Sequence, residues 1–494
     1  MSISQKRKFS KTISLLTCVS LFALVSCQSA QTVSDVTSDD SSATQTSAED
    51  VSDVLKPEFE STDYNGEEFH ILAPTWGLYQ LYFFADEQTG EPMNDAIYER
   101  KMRVEDYLGV NITYDNDSTA IYEIMGKVQT SVMAGDDAYQ LVLTHCIHGV
   151  SSMVTSGLLY DWNDLVYCNL DKSYWNQNCN ESLSINGHQY YAVSDFMLPD
   201  PNCILFSKDM VESHSLENPY ELVRNGGWTL DKFIEMSSKV TVDLDGNSVY
   251  DFNDQYGLGS PNDWYWNSFL YSSNIYLVSK DKDGSFELAI NNNRTVDLIE
   301  KLDRFVNGAN DTYIYSHTLG EDERLKISSG RILFQIEAVQ RLNLLRDSEV
   351  EFGILPYPKY DEAQDDYYSN DWSGLMCVPK TVSNPDMVGQ VCELLALYSG
   401  ETTIPAYFDL MLGEKLSRDD DSKEMLNIIF DNIVFDPGLN YFGFSTNTMK
   451  LFYTIPNLVL KQGSSTFASW YAQYGSGAEA EIEEFMTDVA KLNG

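Results

Sequence analysis

The sequence predicts an α/β protein, with mainly parallel sheets flanked by helices. Three observations carry this. From about Glu67 onward, short apolar stretches alternate with stretches of helical period. The chain has 494 residues, enough for two to four domains or one large two-lobed body. Hydrophobic residues make up 43% and aromatics 13%, so sizeable cores are available and a wholly disordered chain is excluded.

The elements follow in order. Residues 69–73 read as a short apolar strand, and Pro74 ends it. Met93, Ile97, Val104 and Leu108 lie near one helical face, with Gly109 as a C-terminal stop. Residues 110–114 alternate as a strand. A helix to about Ala134 follows, then a strand at 139–143. Residues 190–194 form another apolar strand. Thr229 is placed as an N-cap, with Trp228 and Phe233 at staple spacing, so Trp228 is read as structural. Further strands fall at 331–336 and 351–355, and residues 478–492 form an acidic amphipathic helix. Strands separated by helices place ligand loops at the strand carboxyl ends.

The charge is lopsided. There are 75 Asp+Glu against 32 Lys+Arg, a net −43. That excludes nucleic acid as a partner, because such binding runs on cations neutralising phosphates. It also argues against electrostatic docking on anionic lipid. Positive charge is concentrated at the start, Lys6, Arg7, Lys8 and Lys11, with no acid before Asp35, followed by a short apolar stretch to Val25. This is the pattern of a secretory leader, too short to span a membrane. It ends in Leu24, Val25, Ser26 and Cys27, which looks like the bacterial lipobox, with Cys27 as the lipidation site. Residues 1–26 are then a signal peptide, and their four positive charges take the mature chain from −43 to −47. Residues 27–58 are rich in Ser, Thr and Asp and are expected to be a disordered acidic linker. The lipid is the expected membrane anchor, on the extracellular face of a bacterial cell. Six cysteines remain (Cys146, Cys168, Cys179, Cys203, Cys377 and Cys392), which allow fifteen pairings; buried free thiols are favoured for a body this large.

One inorganic signal stands out. Asp243, Asp245, Asn247, Asp251 and Asp254 fall at positions 1, 3, 5, 9 and 12 of a loop, with the Val249 carbonyl at 7. That spacing wraps a single hard cation, and a structural Ca2+ is expected. Gly246 at position 4, Ser248 at position 6 and Asp at position 12 depart from the EF-hand pattern that the loop otherwise resembles. The alternative is a solvated acidic turn.

Three segments together resemble a known family. They are Gly226-Gly227-Trp228-Thr229-Leu230-Asp231-Lys232-Phe233, with Asp254 to Leu258 beyond it; Phe352 to Lys359, containing Pro356 and Pro358; and Gly374 to Lys380, followed by Asn384-Pro385. Their order is similar to that in solute-binding lipoproteins of carbohydrate ABC importers of Gram-positive type. The resemblance implies a two-lobed, type II periplasmic-binding-protein-like fold with its ligand cleft between lobes. It implies a monomeric binding protein, not an enzyme, with a carbohydrate ligand, an oligosaccharide, handed to ABC permease subunits. The body is taken as 59–494, with the first lobe at about 59–165 plus 325–380 and the second at about 166–324 plus 381–494. Relatives often carry a Trp where this chain has the stretch from Phe334 to Ala338.

A sugar site combines flat aromatic faces with a few polar groups. Trp76 follows the first strand. Trp264 and Trp266 lie in one loop and share a face if that loop is extended. Trp372 precedes the strand at 374–380. Asp195 ends an apolar strand and offers two charge-assisted acceptors. For each Trp the alternative is core packing, and for Asp195 a capping role. His145 is a further contact candidate. The rival functions are a non-sugar solute such as a peptide, an extracellular glycan-active enzyme, and a surface adhesin.

Overall fold

The computed structural model describes residues 56–77, 82–115, 119–282, 284–316, 326–345, 349–416, 419–443, 446–461 and 466–492. The expected leader, Cys27 and nearly all of the expected linker lie outside them. No helix among the described residues is long and apolar enough to cross a membrane.

Two sheets organise the body. In the first, β1 (Glu67–Leu72) lies parallel to β2 (Val110–Asp115) on one side and to β3 (Leu141–His145) on the other. The second is built from β4 (Asn202–Ser207), β5 (Tyr256–Pro261), β8 (Thr312–Tyr315), β9 (Ile332–Ala338) and β10 (Phe352–Leu355), in the order β10-β4-β9-β5-β8. Between β5 and β8 lies the hairpin of β6 (Val278–Lys280) and β7 (Phe286–Leu288). After β10 the chain forms β11 (Ser369–Asn370), then β12 (Gly374–Cys377), which adds antiparallel to β3 and completes the first sheet as β12-β3-β1-β2. β13 (Ile433–Val434) pairs with β11.

The helix Pro92–Leu108 shows how local chemistry sets these elements. Pro92 opens it, and the Glu91 carboxylate accepts from Asn94 N–H at 2.7 Å. Met93, Ile97, Val104 and Leu108 are buried. Arg100 is buried among them. It donates to the Phe83 carbonyl at 2.6 Å and stacks over Phe196 at 4.5 Å, and burial lowers its pKa to about 9. Gly109 stops the helix at φ 60, and a Cβ there would sit 2.2 Å from Asp63 Oδ1. Thr229 caps the helix Leu230–Ser238, and the Trp228 and Phe233 rings meet edge-on at 5.9 Å, as the staple spacing requires. Trp228 is wholly buried and donates to the Pro356 carbonyl.

The sheets divide the chain differently from the sequence-based lobe boundaries. The segment 325–380 is split, because β9 hydrogen-bonds to β4 and β5, and β10 to β4. Only β12 returns to the first sheet. The helix Pro385–Glu401 also belongs with the first sheet: Gln390 accepts from Tyr64 OH, and Glu401 pairs with Arg103. Tyr190 to Ser194, expected as a strand, pairs only through isolated bridges from Ala192 to Met376 and from Ser194 to Trp175. All six cysteines of the body are free thiols, and all but Cys168 are buried.

Candidate functional site

The carboxyl ends of the parallel strands in both sheets carry the aromatic residues singled out by sequence, the position where open α/β sheets bind ligands. In the first lobe Trp76 follows β1, and its ring lies 4.4 Å from that of His145, the last residue of β3. His148 meets His145 edge-on at 4.9 Å. In the second lobe Trp264 follows β5. Its ring stacks on Tyr265 at 4.1 Å and 20°, and packs against Trp372 at 4.5 Å. Trp372 sits on the connection into β12, its carbonyl 3.8 Å from Cys146 Sγ beside His145. Two aromatic groups, Trp76 with His145 and His148 and Trp264 with Tyr265 and Trp372, therefore stand at the strand ends of the two sheets, linked through Cys146.

Tyr265 also lines a cavity of about 220 Å³ at the ends of β5, β8 and β9. Asp263, Tyr315, Lys326, Glu337 and Arg341 line it. Glu337 is ion-paired with Arg341 at 3.2 Å and accepts from Gln335 Nε2 and from Ala338 N–H. Burial raises its pKa, and Arg341 opposes the rise. The sequence reading missed these residues. Glu337 lies in the stretch Phe334 to Ala338, and with Arg341 it puts a charged pair at that strand end.

The five expected ligand residues fare differently. Trp76 and Trp264 are partly exposed at the strand ends. Trp372 joins the cluster but is only 6% exposed, and its Nε1 is buried without a partner among the described residues. Trp266 is a correction. The segment Trp264–Asn267 is a 3₁₀ turn, not an extended strand, so Trp266 turns inward and does not share the Trp264 face. It is 0% exposed and donates to Ser260 Oγ and the Pro261 carbonyl. Asp195 is not gathered with these rings: its Oδ2 lies 3.0 Å from where a Cβ on Gly400 would stand, facing the helix Pro385–Glu401.

Two buried carboxylates mark the crossings between sheets. Asp200 precedes β4 and Asp371 precedes β12, and an antiparallel bridge joins Pro201 to Asp371. Asp371 Oδ1 accepts from Asp200 N–H at 2.8 Å, and Asp200 Oδ2 from Gln340 Nε2 at 2.6 Å. Burial raises both pKa values, with mutual repulsion adding to the rise at Asp200.

In the acidic loop, Asp243, Asp245 and Asp254 each bring a carboxylate oxygen within 4.8 Å of the others. Asp254 is fully buried and accepts from the N–H groups of Leu244 and Asp251; Asp243 accepts from Gly246 and Ser248. Asp251 is not in that cluster; its Oδ1 accepts from Asn253 N–H. Asn247 Oδ1 accepts from the N–H of Val249. Ser248 at loop position 6 adopts φ 63, the left-handed turn for which EF-hands use Gly.

No protein-family model matches the chain, and no curated protein sequence matches it. Solved structures do. An ABC substrate-binding protein of Listeria monocytogenes in complex with cycloalternan superposes with a TM-score of 0.52 at 13% identity, over 85% of this chain and 99% of that one. The GacH receptor of Streptomyces glaucescens, determined unliganded and with acarbose, gives 0.52 at 12% identity, over 85% and 99%. UgpB of Mycobacterium tuberculosis, in complex with glycerophosphocholine, gives 0.52 at 12%, over 87% and 99%. The chain has the α/β fold of ABC substrate-binding proteins, as the resemblance implied.

Proposed function

We propose that this chain is an extracellular receptor that captures a carbohydrate, an oligosaccharide, between its lobes and delivers it to ABC permease subunits without chemistry. The observation that carries the reading is the pair of aromatic groups at the strand ends of both sheets, Trp76 on His145 and Trp264 with Tyr265 and Trp372. Stacked rings suit the C–H faces of sugars, and the Glu337–Arg341 pair suits their hydroxyls. Structural neighbours bound to cycloalternan and acarbose support it. Closure would be a hinge motion about the crossings that contain Asp200 and Asp371. The test is isothermal calorimetry of the mature chain against maltotriose, cycloalternan, acarbose and tagatose. Binding without product release is expected; release of cleaved sugar would sink the non-enzyme reading.

One observation favours a second reading. The cavity of Asp263, Lys326, Glu337 and Arg341 carries both signs of charge, which suits a small charged solute such as a peptide. A thermal-shift panel of peptides beside the sugars separates the two.

The lipobox-like Cys27 supports attachment to the outer face of the membrane by lipid. Replacing Cys27 by Ala should release the protein into the medium; retention on cells would remove the anchor. A monomer on this tether is the state proposed. The converging carboxylates of Asp243, Asp245 and Asp254 support a structural calcium ion outside the cleft, with Asn247, the Val249 carbonyl and Asp251 as remaining ligands.

A further inference from the structure

His145 has its imidazole held in one orientation and one tautomer. Nδ1 accepts the Ile147 N–H at 3.2 Å and lies 3.6 Å from Cys146 Sγ. The rings of Trp76 and His148 pack against it at 4.4 and 4.9 Å. An acceptor at Nδ1 leaves the proton of the neutral ring on Nε2. Burial keeps the ring neutral, with the neighbouring His148 adding to the effect, and lowers its pKa to about 3. Nε2 has no partner among the described residues. It is also absent from the fully enclosed polar atoms that lack one, so it keeps contact with solvent in a residue only 6% exposed. An N–H held this way donates to water in the open protein and is positioned to donate to a ligand oxygen that displaces that water.

We propose that His145 is a specificity-determining residue of the cleft, its Nε2–H donating to a hydroxyl or ring oxygen of the ligand while Trp76 supports the imidazole. The proposal rests on the carbohydrate-receptor reading and specifies one contact within it. It also narrows the ligand. A protonated amine at that position would set donor against donor, so this subsite selects neutral sugars over amino sugars.

The test uses the full mature chain. Nitrogen-15 NMR of the imidazole reads the tautomer without ligand: a bare Nδ1 and a protonated Nε2 are expected at neutral pH. An Nδ1–H tautomer or an imidazolium overturns the proposal and leaves the carbohydrate reading standing. Calorimetry with maltotriose, cycloalternan and acarbose then compares wild type with His145→Phe, which keeps a ring and loses the donor, and His145→Gln, which returns an amide N–H near Nε2. The Phe variant should lose about tenfold or more in affinity and the Gln variant about threefold or less. Equal affinity in the Phe variant overturns the donor role without touching the carbohydrate reading. In wild type, saturation should shift the Nε2–H resonance; an unmoved resonance overturns the proposal even if the Phe variant does not fold. If wild type binds none of the three sugars, the carbohydrate reading and this contact fall together.

Discussion

Trp264 and Trp266 are two residues apart and have opposite fates. Trp264 stays partly exposed, stacked on Tyr265, whereas Trp266 is enclosed against Phe269 with its N–H satisfied by Ser260 and Pro261. Truncation should therefore separate binding from stability. Trp264→Ala is expected to weaken sugar binding by about tenfold or more while leaving the unfolding free energy within about 1 kcal/mol. Trp266→Ala should cost about 3–5 kcal/mol, the usual range for an emptied Trp site. Trp372→Ala should do both, because a ring only 6% exposed packs in the core as well as against Trp264. Chemical denaturation beside calorimetry measures the split. A Trp264→Ala variant that binds normally would remove that ring from the site.

At the scale of elements, the acidic loop separates a structural role from an ionic one. Asp254 is buried and holds the N–H groups of Leu244 and Asp251, so Asp254→Ala should destabilise by about 1–3 kcal/mol with or without calcium. Asp245 is exposed, so Asp245→Ala should change apo stability by about 0.5 kcal/mol or less but abolish any rise in melting temperature on adding calcium to chelated protein. An equal calcium response in wild type and Asp245→Ala would rule the ion out. The loop also shows what was legible in the sequence. Local devices were: the helix stop at Gly109 and the Thr229 cap depend on neighbours in the chain, and the structure carries both, while of the loop's acids it brings Asp243, Asp245 and Asp254 together and leaves Asp251 out. Non-local ones were not. Whether the segment 325–380 joins one sheet or two is decided by β9 pairing with strands far away in sequence, and no periodicity encodes that choice. Trp266 was misplaced because a tight turn and an extended loop look alike in composition. Lys326, Glu337 and Arg341 carried no motif, and only the meeting of three strand ends makes them a site.

For the whole molecule, the net −43 combines with where its carboxylates lie. Most are solvated, but Asp200, Asp371, Glu337, Glu393 and Asp436 have raised pKa values, burial being the first cause in each; that of Asp436 is about 6. A carboxyl whose folded pKa lies above its unfolded value binds a proton in the folded state at pH values where the unfolded chain has lost it. Its contribution to stability is therefore fully present below the unfolded value and is lost as pH rises through the folded one. His145 and His148 act in the opposite sense, since their lowered pKa values favour the folded state only while pH stays above the ordinary histidine range. The lowered carboxylates Glu58, Asp95, Glu235 and Asp419 begin to lose their contribution only as pH falls into the ordinary carboxylate range. Five groups thus oppose two across mildly acidic pH, and protonation also relieves the self-repulsion of the acidic body. The melting temperature should rise by a few degrees between about pH 7.5 and about pH 5.5, then fall again at lower pH. Asp436→Asn should flatten part of that rise, because the replacement cannot titrate although its carbonyl can still accept from Leu277, Val278 or Gly438. Scanning calorimetry across this range checks both. A melting temperature that falls steadily as the pH is lowered from neutrality would show that the two histidines, not the buried carboxylates, set the balance.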